Sequence, residues 1–260
     1  MTCNATDPKA NGIVDIWQET LPVRFGAIDR SDRLTLDSVF QFFQEAAISH
    51  ADNLGVGRED MAKTGQVWIL SRMSVLVDRR PNYGETITVR TWPRGGEKLF
   101  AVRDFDIRDK NNTAAITARS MWVILDMEKR RPLRPQSVMD ALPQNEGVNA
   151  LPPNCAGPSG LEERGNLQKA GERTALYTDI DYNGHVNNVR YIQWIEDTLG
   201  PQILESAEKM RLDINYMNEI LAGEAVEILY APIENEKLSF AFEGRKKESG
   251  QPAFRAELRL

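Results

Sequence analysis

The feature that most constrains the fold of this 260-residue chain is an internal repeat. Each half begins with a strand-like run and a polar turn, continues with an amphipathic helical run, and ends with several segments in which apolar residues alternate. The first helical run follows the turn at residues 29–33, and the second, from Val186 to about Leu199, follows residues 179–185. In the first run the apolar residues fall at spacings of three and four: Leu36, Val39, Phe40, Phe43, Ala46 and Ala47.

Two local matches define how the halves correspond. Residues 42–45 (Phe-Phe-Gln-Glu) resemble residues 193–196 (Gln-Trp-Ile-Glu), at an offset of 151 between Glu45 and Glu196. The strand pair over residues 75–89 resembles that over residues 214–228, at an offset of 139 between Gly84 and Gly223. The second unit is therefore shorter between its helix and its sheet.

A long helix packed on a strongly curved antiparallel sheet buries one sheet face, and two such units can join edge to edge and protect their exposed strand edges. We therefore predict an α+β fold, a tandem (double) hotdog. Turns are expected at Pro81–Gly84, Pro93–Gly96 and Asp109–Asn112 within an antiparallel region from Val67 to Asp126. In the second half, strands are predicted at Arg173–Thr178, Met210–Tyr216, Glu224–Ala231, Leu238–Phe242 and Ala253–Leu260.

The domain organisation follows from the same patterns. Residues 1–15 are expected to be a disordered tail, residues 16–131 an N-terminal hotdog, and residues 173–260 a C-terminal hotdog. Residues 132–172 hold six prolines and several glycines, and they are too long for an ordinary loop within one compact domain. We interpret them as a linker with little regular structure.

Composition argues against several classes of protein. The net charge is −6 and no block of six like charges occurs, which argues against a general nucleic-acid binder. The two cysteines, Cys3 and Cys155, have neither metal-ligand spacing nor the pattern of a disulfide framework. Residues 1–15 lack the apolar core of a signal peptide, and no run approaches 18 apolar residues. We expect a cytoplasmic protein without a membrane span, metal or cofactor.

The stretch from Asp179 to Asn188 holds the best candidate for chemistry. His185 is one of only two histidines, and it lies close to Asp181 and Asn183 just before the second helical run. A histidine titrates near neutral pH, and the free N–H groups of a helix start favour developing negative charge. The alternative interpretation treats Asp181 and Asn183 as ordinary turn or N-cap residues and His185 as a solvated cap.

The repeat strengthens the functional interpretation. An offset of 152 in the turn pairs His185 with Arg33, and the offset of 139 pairs Glu219 with Arg80. One half thus carries a histidine and a glutamate where the other carries two arginines. A purely structural turn does not need this asymmetry, which suggests one catalytic half and one that binds or supports.

The segment Asp179–Glu196 (Asp-Ile-Asp-Tyr-Asn-Gly-His-Val-Asn-Asn-Val-Arg-Tyr-Ile-Gln-Trp-Ile-Glu) resembles the signature segment of acyl-ACP thioesterases, the plant chain-terminating enzymes and their bacterial relatives. The resemblance runs from about residue 17 to the C-terminus, with a poor match in the linker. No plastid transit peptide precedes the chain, so a bacterial member is expected. Further matches are Gln44-Glu45, His50-Ala51, Trp68–Pro81, Arg103–Phe105, Ala118–Val123 and Arg130-Arg131.

The resemblance implies hydrolysis of fatty acyl-ACP to free fatty acid and holo-ACP, which terminates fatty acid synthesis. It implies a catalytic set of Asp181, Asn183, His185 and Glu219. A cysteine beside the acid has been considered as the nucleophile in plant members, but Ile220 follows Glu219 here and neither cysteine lies in the motif. We therefore expect Glu219 and His185 to activate water, without deciding which is the base. Asn183 or backbone N–H groups would stabilise the oxyanion, and Asp181 would orient its neighbours.

The resemblance also assigns acyl-chain binding to the N-terminal hotdog. The candidate tunnel residues, for which plain core packing is the alternative, are Phe40, Phe43, Trp68, Met73 and Met121. His50 is interpreted as structural. The acidic carrier protein would be attracted by a basic patch, for which a solvated strand end is the alternative: Lys129, Arg130, Arg131 and Arg134.

Several alternatives stay open from the sequence. An acyl-CoA thioesterase of the same fold is the main rival, because the residues do not separate the carrier protein from coenzyme A. A hotdog dehydratase lacks a recognisable hydroxyacyl site here, and an inactive acyl-binding module conflicts with the intact polar set. Monomer and homodimer are both compatible with two linked hotdogs.

Overall fold

The computed structural model describes residues 13–134, 136–140 and 142–260, so residues 1–12 of the predicted tail, including Cys3, lie outside the described residues. The strands are β1 (Trp17–Pro22), β2 (Gln66–Val77), β3 (Thr86–Glu97), β4 (Phe100–Arg108), β5 (Ala114–Asp126), β6 (Arg131–Leu133), β7 (Gln168–Thr174), β8 (Met210–Tyr216), β9 (Ala225–Pro232), β10 (Ser239–Lys246) and β11 (Pro252–Arg259). The helices are α1 (Leu36–Asn53), α2 (Arg58–Lys63), α3 (Gln136–Met139), α4 (Asn188–Leu199) and α5 (Pro201–Leu204), with 3-10 turns at Phe25–Ala27 and Tyr177–Asp179.

All eleven strands belong to one antiparallel sheet. The first half contributes the order β1-β3-β4-β5-β2 and the second half the order β8-β11-β10-β9-β7, while β6 pairs with β5 at the side. The halves join where β2 pairs with β8, from Arg72 opposite Asn215 to Val77 opposite Met210. The predicted α+β double hotdog with edge-to-edge joining is therefore confirmed.

The internal repeat extends to individual backbone contacts. The first half has isolated bridges within its polar turn and between the turn and the β2–β3 connection, and the second half has the same two bridges. They are Ile28 to Leu34 and Arg33 to Asn82, matched by Ile180 to Val186 and His185 to Leu221. These pairs differ by 152 residues in the turn and by 139 in the connection, as the sequence predicts.

The two long helices cover the same face of the sheet, here called the inner face. The apolar stripe of α1 places Phe40 and Phe43 in the core, where the rings of Phe43 and Phe105 are 4.9 Å apart. α1 ends just before Gly55, which adopts the left-handed backbone (φ +71°) that favours glycine. One core cluster runs continuously through both halves.

One predicted turn is wrong. Pro93–Gly96 lies inside β3, where the register with β4 shifts between Pro93 and Gly95 and Gly95 has φ +94°. The hairpin turn instead follows at Lys98 and Leu99. The glycines accommodate a β-bulge, which inserts a residue without ending the strand.

The segment between the halves packs on the opposite, outer face of the sheet. Trp92 donates its indole N–H to the carbonyl of Val148 (2.9 Å), and Asn215 accepts a hydrogen bond from the backbone of Leu161 (2.7 Å). β7 begins at Gln168, five residues before the predicted strand start at Arg173, because its pairing with β9 extends that far. No helix in the described ranges is long and apolar enough to cross a membrane.

Candidate functional site

The turn before α4 is organised by Asp181. Its Oδ1 accepts hydrogen bonds from the backbone N–H groups of Asn183 (2.8 Å) and His185 (3.4 Å). Its backbone N–H donates to the carbonyl of His185 (2.8 Å), and Gly184 completes the turn at φ +84°. Asp181 therefore holds the loop in a fixed shape, as an Asx-type turn residue does.

Helix α4 begins directly after this turn. Asn187 is the N-cap, and its side-chain oxygen accepts from the backbone N–H of Val189 (2.9 Å). The first N–H groups of a helix have no partner within the helix, and together they carry partial positive charge. The N–H of Arg190 also donates to the backbone carbonyl of Asn187 (2.9 Å), so what this helix start offers the turn with Asn183 and His185 is chiefly the partial positive charge of the helix dipole.

His185 and Glu219 meet across two segments that are far apart in sequence. The backbone N–H of Val186 donates to the carbonyl of Ile220 (2.9 Å), which brings the segment after β8 alongside the turn. In this arrangement His185 Nε2 lies 3.1 Å from Glu219 Oε2. The two side chains are 33% and 43% exposed, so water and a substrate can reach both. The structure brings the four sequence-predicted residues Asp181, Asn183, His185 and Glu219 together.

Two basic residues outside the predicted catalytic set also contact Glu219: Arg130, predicted only as part of the carrier-binding patch, and Lys246, which the sequence does not single out. Arg130 Nη2 lies 3.2 Å from Oε1, and Lys246 donates from Nζ to the backbone carbonyl (3.1 Å). Lys246 also pairs with Glu224 (2.8 Å). The site therefore contains cations from both halves of the chain.

Two tyrosines lie behind the turn: Tyr191, which is buried, and Tyr216, which is partly buried. Burial, reinforced by the negative charges of Asp181, Glu224 and Glu219, raises the pKa of Tyr191, and burial likewise raises the pKa of Tyr216. Both phenols therefore stay neutral at physiological pH. Tyr191 is on the buried face of α4 within the signature segment, so its helical spacing is the sequence signal that places it here.

The equivalent turn of the N-terminal half is filled by arginines. Asp29 Oδ1 accepts from the backbone of Ser31 (2.8 Å), as Asp181 does from Asn183, but Asp29 Oδ2 binds Arg80 (2.5 Å). Arg80 is buried and also donates to the carbonyl of Leu34 (2.8 Å), while Arg33 donates to the carbonyl of Glu205. These arginines join the turn to neighbouring segments by hydrogen bonds. The turn has an arginine where the other half has His185, so it contains no imidazole that could act as a base.

The other histidine, His50, is fully buried at the end of α1. Its Nε2 lies 2.9 Å from the carbonyl of Val14, and its Nδ1 lies 3.0 Å from the guanidinium of Arg103. Burial and the charge of Arg103 lower the pKa of His50 to about 4. A neutral, hydrogen-bonded and inaccessible imidazole fits a structural role.

The five candidate tunnel residues separate into three places. Phe40, Phe43 and Met73 lie in the main core between α1 and the inner face. Trp68 packs against a second, smaller cluster, with its indole N–H bonded to the carbonyl of Val56 (2.9 Å). Met121 pairs with Val102 and Arg72, and it alternates with Ser120 and Trp122, so its side chain is on the outer face.

The four candidate patch residues lie in the β5–β6 hairpin or directly after it. Lys129 Nζ is 3.6 Å from Asp126, and Arg131 opens β6 opposite the same aspartate. Arg134 follows β6 and is exposed. Arg130, at the tip, is the member that reaches Glu219.

Neither chemistry based on Cys155 nor a metal site is favoured by the geometry. Cys155 precedes Ala156, whose carbonyl accepts from Arg211 (2.9 Å) at the start of β8, whereas Glu219 follows the end of that strand. Ile220, beside the acid, is fully buried. Within the described part of the chain, no cluster of three or more His, Cys, Asp or Glu side chains could hold a metal ion.

Comparison with known families gives matches over most of the chain. The model of the acyl-ACP thioesterase N-terminal domain matches residues 15–142, and that of the acyl-ACP thioesterase C-terminal domain matches residues 166–259. A chloroplastic palmitoyl-acyl carrier protein thioesterase from Cuphea hookeriana is 30% identical over 234 residues. That match covers 83% of this chain but 54% of the relative, so the chain spans about half the length of the curated relatives it matches.

Solved structures show the same architecture. An acyl-ACP thioesterase from Bacteroides thetaiotaomicron superposes with a TM-score of 0.82 at 27% identity, covering 94% of this chain and 97% of that one. A 12:0-ACP thioesterase from Umbellularia californica superposes with a TM-score of 0.80 at 21% identity, covering 95% and 97%. At that lower identity the second match is a likeness of fold alone.

Proposed function

The chain belongs to the acyl-ACP thioesterase family, and from this and the geometry of the site we propose that it hydrolyses fatty acyl thioesters carried on acyl carrier protein. The products are a free fatty acid and the carrier with its thiol restored, so the reaction ends elongation of that acyl chain. The observation that carries the proposal is the pairing of His185 Nε2 with Glu219 Oε2 at 3.1 Å beside the start of α4. The equivalent positions of the other half are arginines that bind backbone carbonyls.

The proposed chemistry is a general-base hydrolysis. Water held by Glu219 and His185 loses a proton to this pair as its oxygen attacks the thioester carbonyl carbon. The carbonyl oxygen becomes negative and is stabilised by the side-chain amide of Asn183 or by backbone N–H groups at the start of α4. The carbon–sulfur bond then breaks, and the thiolate takes up a proton as it leaves. Asp181 acts by holding the turn that carries Asn183 and His185.

The placement of the cysteine supports water as the nucleophile. Cys155 lies in the segment on the outer face near Arg211, and the position after Glu219 is the buried Ile220. A covalent mechanism needs a nucleophile within hydrogen-bond reach of its base. In the described part of the chain, the His185 ring is within hydrogen-bond reach of the Glu219 carboxylate, and no thiol or hydroxyl group is found bonded to it.

For substrate binding we propose the inner face of the N-terminal half and the hairpin tip. Phe40 and Phe43 project from α1 toward the inner face, where Met73 also lies, and Trp68 packs against the second cluster, so an acyl chain would lie among them. Met121 is left out of this proposal because it is on the outer face. Lys129, Arg131 and Arg134 are exposed on or beside the hairpin whose residue Arg130 contacts Glu219, and they carry the charge that an acidic carrier protein requires.

The test is a hydrolysis assay that traps the released thiol. His185→Ala and Glu219→Gln should each lower kcat by about 10²–10⁴-fold, as removal of a general base does. Glu248→Gln, on the exposed turn between β10 and β11, is a matched control that should leave kcat unchanged. Retention of near-normal turnover by both site variants would contradict the site. Equal kcat/KM for matched acyl-ACP and acyl-CoA substrates would contradict the assignment of the carrier.

A further inference from the structure

The tip of the β5–β6 hairpin reaches from the N-terminal half into the candidate site. Arg130 stands at this tip, and its Nη2 lies 3.2 Å from Glu219 Oε1. The other carboxylate oxygen, Oε2, lies 3.1 Å from His185 Nε2. Each oxygen of Glu219 therefore has its own partner, one from each half of the chain.

The backbone of the hairpin fixes where Arg130 stands. The Oδ1 of Asp126 accepts from the backbone N–H groups of Glu128 (3.1 Å) and Lys129 (2.9 Å), which closes the tip. Arg130 itself has φ +47°, a left-handed conformation in which glycine is unstrained and an arginine is not. The left-handed residue turns the chain back into β6, so the hairpin turn sets where the backbone of Arg130 lies.

Stability does not account for this ion pair. The side chains of Arg130 and Glu219 are 74% and 43% exposed, and exposed ion pairs contribute little to the folded state. Orientation does account for it. The terminal torsion of a glutamate is broad and roughly two-fold, so a single hydrogen bond leaves the carboxylate free to rotate.

We propose that Arg130 is a positioning residue: its guanidinium holds Oε1 of Glu219 so that Oε2 stays directed at His185. This inference rests on the proposed function, because it assigns Glu219 and His185 to the reaction. It differs from a carrier-binding role for Arg130, which would act on substrate capture alone. Lys246 complements it by bonding the backbone carbonyl of Glu219 rather than the carboxylate.

The test compares Arg130→Gln with Lys98→Gln in the full-length protein. Lys98 is a suitable control because it is also an exposed cation in a left-handed conformation (φ +57°) at a hairpin tip, and it has no place in the proposed site. We expect Arg130→Gln to lower kcat about 10- to 100-fold, since small misplacement of a reacting group has effects of that order. KM should change less than about two-fold, Arg130→Lys should recover part of the loss, and the midpoint of thermal unfolding should not move.

The double variant Arg130→Gln/Glu219→Gln distinguishes action through Glu219 from action elsewhere. If Arg130 works by orienting Glu219, the double variant should be no slower than Glu219→Gln alone. A rise in KM at unchanged kcat, or additive losses in the double variant, would overturn the inference. Near-normal activity of both Glu219→Gln and His185→Ala would instead overturn the proposed function, whereas a severe loss in Glu219→Gln with none in Arg130→Gln refutes only the role of Arg130.

Discussion

Glu219 is the residue at which the two halves of the chain meet in the candidate site. It follows β8 in the C-terminal half, and its carboxylate lies between His185 of the same half and Arg130 of the other. Two charge-assisted contacts on one carboxylate restrict its rotation more than either does alone. In this arrangement the imidazole is oriented by the acid, whichever of the two takes the proton from water.

The thiol of Cys155 provides a prediction at the same scale. Cys155→Ser should leave kcat and KM for acyl-ACP within about two-fold of the parent, because the residue lies near Arg211 on the outer face. Treatment with a thiol-alkylating reagent, followed by assay after the reagent is removed, provides a second readout. A large loss of turnover in the serine variant would favour a thiol mechanism over water.

The sequence predicts those site residues whose positions follow from a local spacing or from the internal repeat. The spacing from Asp181 to His185 is contained within one turn, and the offset of 139 points from Arg80 to Glu219. The contact of Arg130 with Glu219 joins residues 89 apart through a hairpin tip whose direction depends on tertiary packing. No periodic pattern encodes that direction.

The outward orientation of Met121 shows a related limit. Both faces of β5 carry apolar residues, because the outer face is covered by the segment between the halves. Alternation then does not show which face meets the helices. A shift of one residue in strand phase moves a side chain from one face to the other, and such a shift separates the predicted tunnel position of Met121 from its observed position on the outer face.

At the scale of elements, a cluster of prolines and glycines is compatible with either a turn or a β-bulge. The composition of Pro93–Gly96 predicts a turn, yet β3 continues through this segment with a bulge. Both structures need left-handed or otherwise unusual backbone, so the same residues favour either. Pairing with β4 on both sides of the bulge decides between them, and only the folded sheet contains that information.

Gly244 in β10 provides a prediction about one element. A Cβ atom there would lie 2.1 Å from the ring of Phe254, which is fully buried on the neighbouring β11. Gly244→Ala should therefore lower the free energy of unfolding by about 1–3 kcal/mol, the usual effect of overpacking. Gly26→Ala is the control, because a Cβ there meets nothing within 4 Å and should change stability by less than about 0.5 kcal/mol. Urea denaturation measures both, and equal midpoints for the two variants would contradict the close contact.

At the scale of the whole molecule, a side chain of α4 caps the N-terminus of α1. The carboxylate of Glu196 accepts hydrogen bonds from the backbone N–H groups of Leu36 (3.0 Å) and Asp37 (3.3 Å), and Gln193 donates to Asp37 (2.8 Å). Thr35, the N-cap of α1, does not cap the helix with its own side chain. A side chain from the second half thus satisfies donors that the first half leaves free.

This contact should make stability depend on pH. Burial, together with the charge of Asp37, raises the pKa of Glu196 from 4.5 to about 8. Between those values the folded chain binds more protons than the unfolded chain, so the free energy of unfolding falls as pH rises from 4.5 to 8. A shift of that size corresponds to about 5 kcal/mol without screening. Because the residue is partly accessible, we expect an effect on the order of 1–3 kcal/mol.

The measurement is urea denaturation of the parent and Glu196→Gln at pH 6 and pH 9. Glutamine does not ionise, so the stability of the variant relative to the parent should increase between pH 6 and pH 9. Because pH 6 already lies above the unfolded pKa, the increase should be about half of the amount given above. Other titrating groups are common to both proteins and cancel in the comparison. An identical pH dependence for the two would show that Glu196 does not titrate in this range.

The join between β2 and β8 has one further consequence. Ser74 and Asp213 are equivalent in the repeat, since they differ by 139 residues, and they are also direct partners that share a hydrogen bond. The pseudo-twofold axis therefore passes between them. In an assembly of two identical chains, a residue on such an axis faces its own copy, and a buried aspartate there would oppose another aspartate. Covalent linkage of two diverged halves removes that symmetry constraint and allows a hydroxyl to face a carboxylate at the centre of the sheet.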